Sequence, residues 1–96
     1  MSAYVVVNGE VTDPGRYEQY KQLAAAAVAQ HGGRYLARGG TTALLEGGWQ
    51  PKRVVILEFA TLSAATEFYE SPEYRAARAL RAGAATMDVI AVEGVA

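Results

Sequence analysis

Val54-Val55-Ile56-Leu57-Glu58-Phe59 decides the architecture of this chain. Five of the six residues are apolar, several of them β-branched, which is the pattern of a buried strand. Side chains alternate along a strand, so Val55, Leu57 and Phe59 share one face while Val54 and Ile56 share the other. Both faces therefore need cover. Glu58 interrupts the run, and an unpaired carboxylate is costly to bury. It requires a partner or a pocket, which makes it the first candidate for a functional residue.

Working outward, the strand spans Arg53 to Phe59 and is preceded by a plain loop signal, Gly47-Gly48-Trp49-Gln50-Pro51-Lys52. Before that, Arg34 to Arg38 reads as a strand, and Thr42 to Glu46 as a further strand segment. Gly39-Gly40 lies between them and makes either a tight hairpin or a bulged kink in one long strand, the kink being the preferred reading. Closing the 47–52 loop as a hairpin would set Glu46 across from Arg53 as an ion pair. Upstream, Tyr4-Val5-Val6-Val7 opens a strand that runs to Val11. Thr12-Asp13-Pro14 then starts a helix, with Asp13 as cap and Pro14 in the first turn. Tyr17, Tyr20, Ala24, Ala27, Val28 and His31 form its apolar face, and Gly32-Gly33 ends it. Downstream, Thr61 or Ser63 caps a helix whose inner face is Leu62, Ala65, Phe68 and Tyr69. Ser71-Pro72-Glu73 restarts a helix that runs to Ala82, and Met87 to Val92 makes a last strand.

This order is the split βαβ pattern of a ferredoxin-like α+β subunit with an antiparallel sheet. Two crossovers of one hand put all helices on one face. The other face is apolar and uncovered, and a second copy of the same sheet is its simplest cover. The expected form is a homodimer.

The 96 residues suffice for one domain that buries roughly 60–70% of its unfolded surface. A formal charge of −1, evenly spread, gives no electrostatic case for nucleic acid. The lack of cysteine excludes disulfides, thiol catalysis and thiolate metal sites, and a single histidine argues against a histidine-rich metal site. Met1-Ser2-Ala3-Tyr4 has neither the basic flank nor the apolar core of a signal peptide. Leu23 to Ala29 is too short to span a bilayer. The expectation is a cytoplasmic protein with no membrane partner. The paired glycines fit neither dinucleotide nor P-loop spacings.

Several motifs then carry a resemblance. His31-Gly32-Gly33-Arg34-Tyr35-Leu36-Ala37-Arg38-Gly39-Gly40, Leu45-Glu46-Gly47, Trp49 with Pro51 and Arg53, Leu57-Glu58-Phe59, and Phe68-Tyr69 with Ser71-Pro72-Glu73-Tyr74 resemble the domain of unknown function 1330 family. That family falls within the dimeric α+β barrel superfamily, and the resemblance covers essentially the whole chain. It implies a ferredoxin-like subunit whose sheet pairs with a partner's to close a barrel. It supplies no activity. The superfamily includes cofactor-free monooxygenases, haem-degrading enzymes and muconolactone isomerases. Asn8 sits where the haem-degrading pattern wants an asparagine, but Trp49 and His31 do not match that pattern. Haem is not carried over, and no cofactor is expected.

The candidate site is a small pocket between sheet and helices for an acidic or aromatic molecule. Glu58 is a candidate general base whose pKa burial would raise; as a structural group it would pair with Arg38 or Arg81. His31, at a helix C-terminus, is a candidate proton shuttle or a turn-closing residue. Arg75, Arg78 and Arg81 form a basic ridge, and Arg38 or Arg81 would hold an anionic group. Tyr4, Tyr17, Tyr20, Tyr69 and Tyr74 would line the pocket or fill the seam between helix and sheet. Trp49, a large aromatic in a glycine-flanked loop, is read as a pocket lid or a dimer contact. The competing expectations are a non-catalytic or stress-associated dimer, and a module that binds another protein through Trp49.

Overall fold

The computed structural model of the chain describes residues 1–95. In chain order the elements are β1 (Ala3–Val11), α1 (Pro14–Gln30), β2 (Arg34–Arg38), β3 (Arg53–Phe59), α2 (Leu62–Glu70), α3 (Pro72–Arg81) and β4 (Ala85–Glu93). The strands form one antiparallel sheet in the order β2-β3-β1-β4. This is the ferredoxin-like subunit that the sequence pattern predicts.

Local chemistry explains the element starts. The Asp13 carboxylate accepts from the Arg16 amide at 3.2 Å, and Pro14 follows in the first turn of α1. At α2 the cap is Thr61, whose hydroxyl accepts from the Ala64 amide at 3.0 Å, rather than Ser63. Ser71 serves two helices at once. Its buried hydroxyl donates to the Phe68 carbonyl at 2.7 Å, closing α2, and accepts from the Tyr74 amide at 3.1 Å, opening α3.

The core lies between the helices and one face of the sheet. Val5, Val7, Leu57 and Phe59 meet Tyr17, Tyr20, Ala24, Val28, Phe68 and Tyr74. Phe59 and Phe68 are the largest fully buried side chains, with ring centroids 5.0 Å apart. Gly33 is required beside them, because a Cβ there would stand 2.6 Å from the Phe59 ring. The other face of the sheet carries Tyr4, Val6, Val54, Ile56 and Glu58 together with Ile90 and Val92, and no helix covers it. Ile90 is 61% exposed. The molecule is accordingly a slab, 36 × 34 × 16 Å.

The structure departs from the sequence expectations at the segment 39–52. Thr42 to Glu46 is not a strand. β2 stops at Arg38, and residues 39–52 form a loop in which Leu45 is 94% exposed and Trp49 64%. Gly39-Gly40 is neither a tight hairpin nor a kink within a strand. Gly39 takes a left-handed φ of 72°, and its amide donates to the Val54 carbonyl at 2.8 Å. That geometry turns the chain out of the ladder instead of bending it within the sheet. The bulge that does occur is earlier, between Tyr35 and Ala37. Glu46 consequently has no strand position from which to oppose Arg53.

Candidate functional site

The β2 bulge shapes the site. By inserting an extra residue it lets Tyr35 and Arg38, three apart, reach the same helix-side face. The Arg38 guanidinium sits over the Tyr35 ring, 4.3 Å from its centroid. On β3, the two-residue period that sends Val55, Leu57 and Phe59 to the helix side sends Arg53 there as well, 5.6 Å over the Tyr17 ring. From α1 and α3, Tyr20 and Tyr74 meet hydroxyl to hydroxyl at 2.7 Å.

Together these side chains enclose a cavity of about 30 Å³, room for one water, lined by Tyr17, Tyr20, Tyr35, Tyr69 and Tyr74 with apolar strand residues behind. Lys21, Arg38 and Arg53 are the charged residues of its lining, and none is acidic. The same three cations edge an open groove of about 550 Å³ outside, where Glu18, Gln22 and Ala25 complete the wall. Burial pushes the Tyr20 phenol far above its ordinary pKa, and the adjacent Tyr74 adds to the rise. Burial also raises Tyr35, against the opposing pull of the Arg38 charge. Both phenols stay protonated at neutral pH and offer hydrogen bonds rather than a base.

The sequence-predicted residues do not converge. Arg38 and Tyr74 line the cavity. Glu58 points to the opposite face of the sheet, where its partner is Arg34 directly across the ladder, Nε to Oε1 2.6 Å, and not Arg38 or Arg81. The hydrogen bond from Arg34 holds the Glu58 carboxyl below its ordinary pKa, the reverse of the rise expected for a base in an apolar pocket. Tyr4 is the Glu58 neighbour on β1 and shares that open face. His31 caps the end of α1, edge-on to Phe68, with Nε2 3.8 Å from the Glu73 carboxylate. Arg81 lies over Tyr20 at 5.6 Å, and Arg78 over Tyr69 at 4.2 Å, on the α3 side. Neither His31 nor Arg81 lines the cavity. Trp49 sits in the loop beside a second, apolar groove of about 700 Å³ on the open face, with Val6, Leu44, Val54 and Ile56.

Arg53, Tyr35 and Arg34 were not singled out as site residues by sequence reasoning. The signal for Arg53 was present, since it alternates in step with Val55, Leu57 and Phe59. Tyr35 and Arg34 depended on the bulge, which no residue in β2 announces. Among the described residues there is no cluster of His, Cys, Asp or Glu that could hold a metal ion, and no helix long and apolar enough to cross a membrane.

Fold and site together define a ferredoxin-like α+β subunit with an aromatic cavity between its two layers. The chain belongs to the DUF1330 family, a domain of unknown function whose model matches residues 2–95. Solved structures share the fold at low identity. A protein of unknown function from Rhodopseudomonas palustris, RPA0582, superposes with a TM-score of 0.76 at 19% identity, covering 99% of this chain and 83% of that one. A dimeric ferredoxin-like protein of unknown function from Thermobifida fusca gives 0.67 at 18% identity, covering 98% and 92%. SnoaB, a cofactor-independent oxygenase from Streptomyces nogalater, gives 0.65 at 14% identity, covering 99% and 94%. No curated protein matches the sequence.

Proposed function

We propose that this chain is a homodimer that pairs through the bare face of its sheet and binds a small acidic aromatic molecule on the helix side. The observation that carries the binding reading is the pairing of a lining rich in tyrosine with the cations Arg38 and Arg53 and no lining carboxylate. A guanidinium fork suits a ligand carboxylate, and the phenol rings suit an aromatic body. The void is too small for a ring as it stands, so binding must open it. β2 is the wall best able to yield, being a five-residue edge strand that already carries a bulge. Tyr35 would move outward with it.

The dimer rests on the uncovered apolar face, and the Thermobifida fusca protein, described as dimeric, supports it. In this reading Trp49 and Tyr4 belong to the dimer side of the sheet, and Glu58 and His31 hold structure. The cavity contains no general base, so its geometry favours binding over acid–base catalysis. One observation favours a plainer second reading: a void of about 30 Å³ is also what a filled aromatic core leaves, which suits a dimer whose tyrosines only pack.

Titration with benzoate and with its uncharged amide separates the two. The binding reading predicts saturable benzoate binding that shifts Tyr35 and Tyr17 ring resonances, at least tenfold weaker for the amide and for Arg53→Gln. Equal, non-saturating responses to both compounds would leave the packing reading.

A further inference from the structure

The groove outside the cavity has an electrostatic surplus that a carboxylate does not match. Lys21, Arg38 and Arg53 face it, and Glu18 is its one acidic residue. Glu18 is already tied to Lys21, Nζ to Oε2 3.2 Å. Three cations against one carboxylate leave two positive charges uncompensated. Neither arginine has a salt-bridge partner among the described residues. Arg38 makes only a long contact, 3.5 Å, to the Lys21 carbonyl. Arg53 is more constrained: its Nε is buried with no hydrogen-bond partner among the described residues. A desolvated guanidinium N–H left unpaired is unfavourable, and an anion held by the same guanidinium would offset part of that cost.

The backbone is shaped to keep this guanidinium in place. A Cβ on Gly39 would overlap the Arg53 guanidinium, so the glycine leaves the space that Arg53 fills. The loop turn and the arginine are thus one device.

From this geometry we infer that the groove is a subsite for a dianionic group of the phosphate-monoester class, held between Arg38 and Arg53 with Lys21 as the third donor. The inference rests on the binding reading above and sharpens it, making the ligand an aryl phosphate rather than an aryl carboxylate. A phosphate monoester carries close to two charges above its second pKa, near 6, and presents three acceptor oxygens to three donors.

Isothermal titration of the full chain with phenyl phosphate and with benzoate, at pH 7.5 and pH 5 in low salt, tests this. The expected result at pH 7.5 is phenyl phosphate bound at least tenfold more tightly than benzoate. That preference should fall several-fold at pH 5, where the ester loses one charge and benzoate remains ionised. Lys21→Gln should cut phenyl phosphate affinity about tenfold and leave benzoate nearly unchanged. Gly39→Ala, which dislodges Arg53, should weaken both, with thermal melts confirming that each variant folds. If benzoate binds as well as phenyl phosphate at both pH values, the dianion subsite is wrong and the acid-binding reading stands. If neither compound binds, both fail.

Discussion

On its helix side the sheet sets Val5, Val7, Leu57 and Phe59 against three helices, whereas on its other side Val6, Val54, Ile56, Ile90 and Val92 lie outside the helix-packed core. The same strands supply both sets, one residue apart. The helix side is finished chemistry: aromatic rings packed on one another, a buried hydroxyl pair, and cations gathered at one opening. The bare side is unfinished. Its apolar centre lies beside an ion pair, Arg34 with Glu58, and a loop that holds Leu45 and Trp49 in solvent. This uncovered apolar face is the one that the proposed homodimer would bury. In the proposed dimer one sheet divides its duties by parity: odd positions of β1 and β3 face the helices and the cavity, and even positions would meet the copy.

The largest effect belongs to Phe59→Ala, which removes a fully buried ring from the helix side and should cost about 3–5 kcal/mol in chemical denaturation. Ile56→Asp, three residues away and on the other face, should leave the fold intact and produce monomers. Placing an unpaired carboxylate in a dry interface costs about 3 kcal/mol or more, a loss of over a hundredfold in dimer affinity. Size-exclusion elution with circular dichroism distinguishes the two outcomes, and an Ile56→Asp protein that remains dimeric would break the division of faces. Tyr20→Phe strands the Tyr74 hydroxyl in the core and should lower stability by about 1–2 kcal/mol in urea, with the oligomeric state unchanged.

The smallest effect is electrostatic. Glu58 titrates below its ordinary value because Arg34 donates to it. A carboxyl depressed in the folded state contributes stability above its unfolded pKa, and that contribution is lost as pH falls through the folded pKa. Arg34→Ala should therefore raise the Glu58 pKa back towards its ordinary value, read from its side-chain carbon shift, and flatten the acid limb of the stability curve.

Much of the fold was written locally. The β-branched run at Tyr4–Val7 gave β1, Asp13-Pro14 the start of α1, and Ser71-Pro72-Glu73 the start of α3. Alternation within 54–59 already separated the two faces. Less of the site was legible, because a glycine pair declares freedom without declaring direction. Gly39 could turn the chain inward or out, and its left-handed turn out of the ladder erased the expected Thr42–Glu46 strand. Cross-strand partners depend on register, and register depended on the bulge at Tyr35–Ala37. Register therefore sets Arg34 opposite Glu58 and leaves Arg38 opposite Val55. Arg53 was legible by parity alone, yet a cation at a strand end reads as solvent-facing until the tyrosines beneath it are placed.

Sedimentation equilibrium of the unmodified chain at micromolar concentration tests the division of faces most directly. The expected result is a single species of twice the chain mass. A species of one chain mass, stable across the concentration range and folded by circular dichroism, would contradict it.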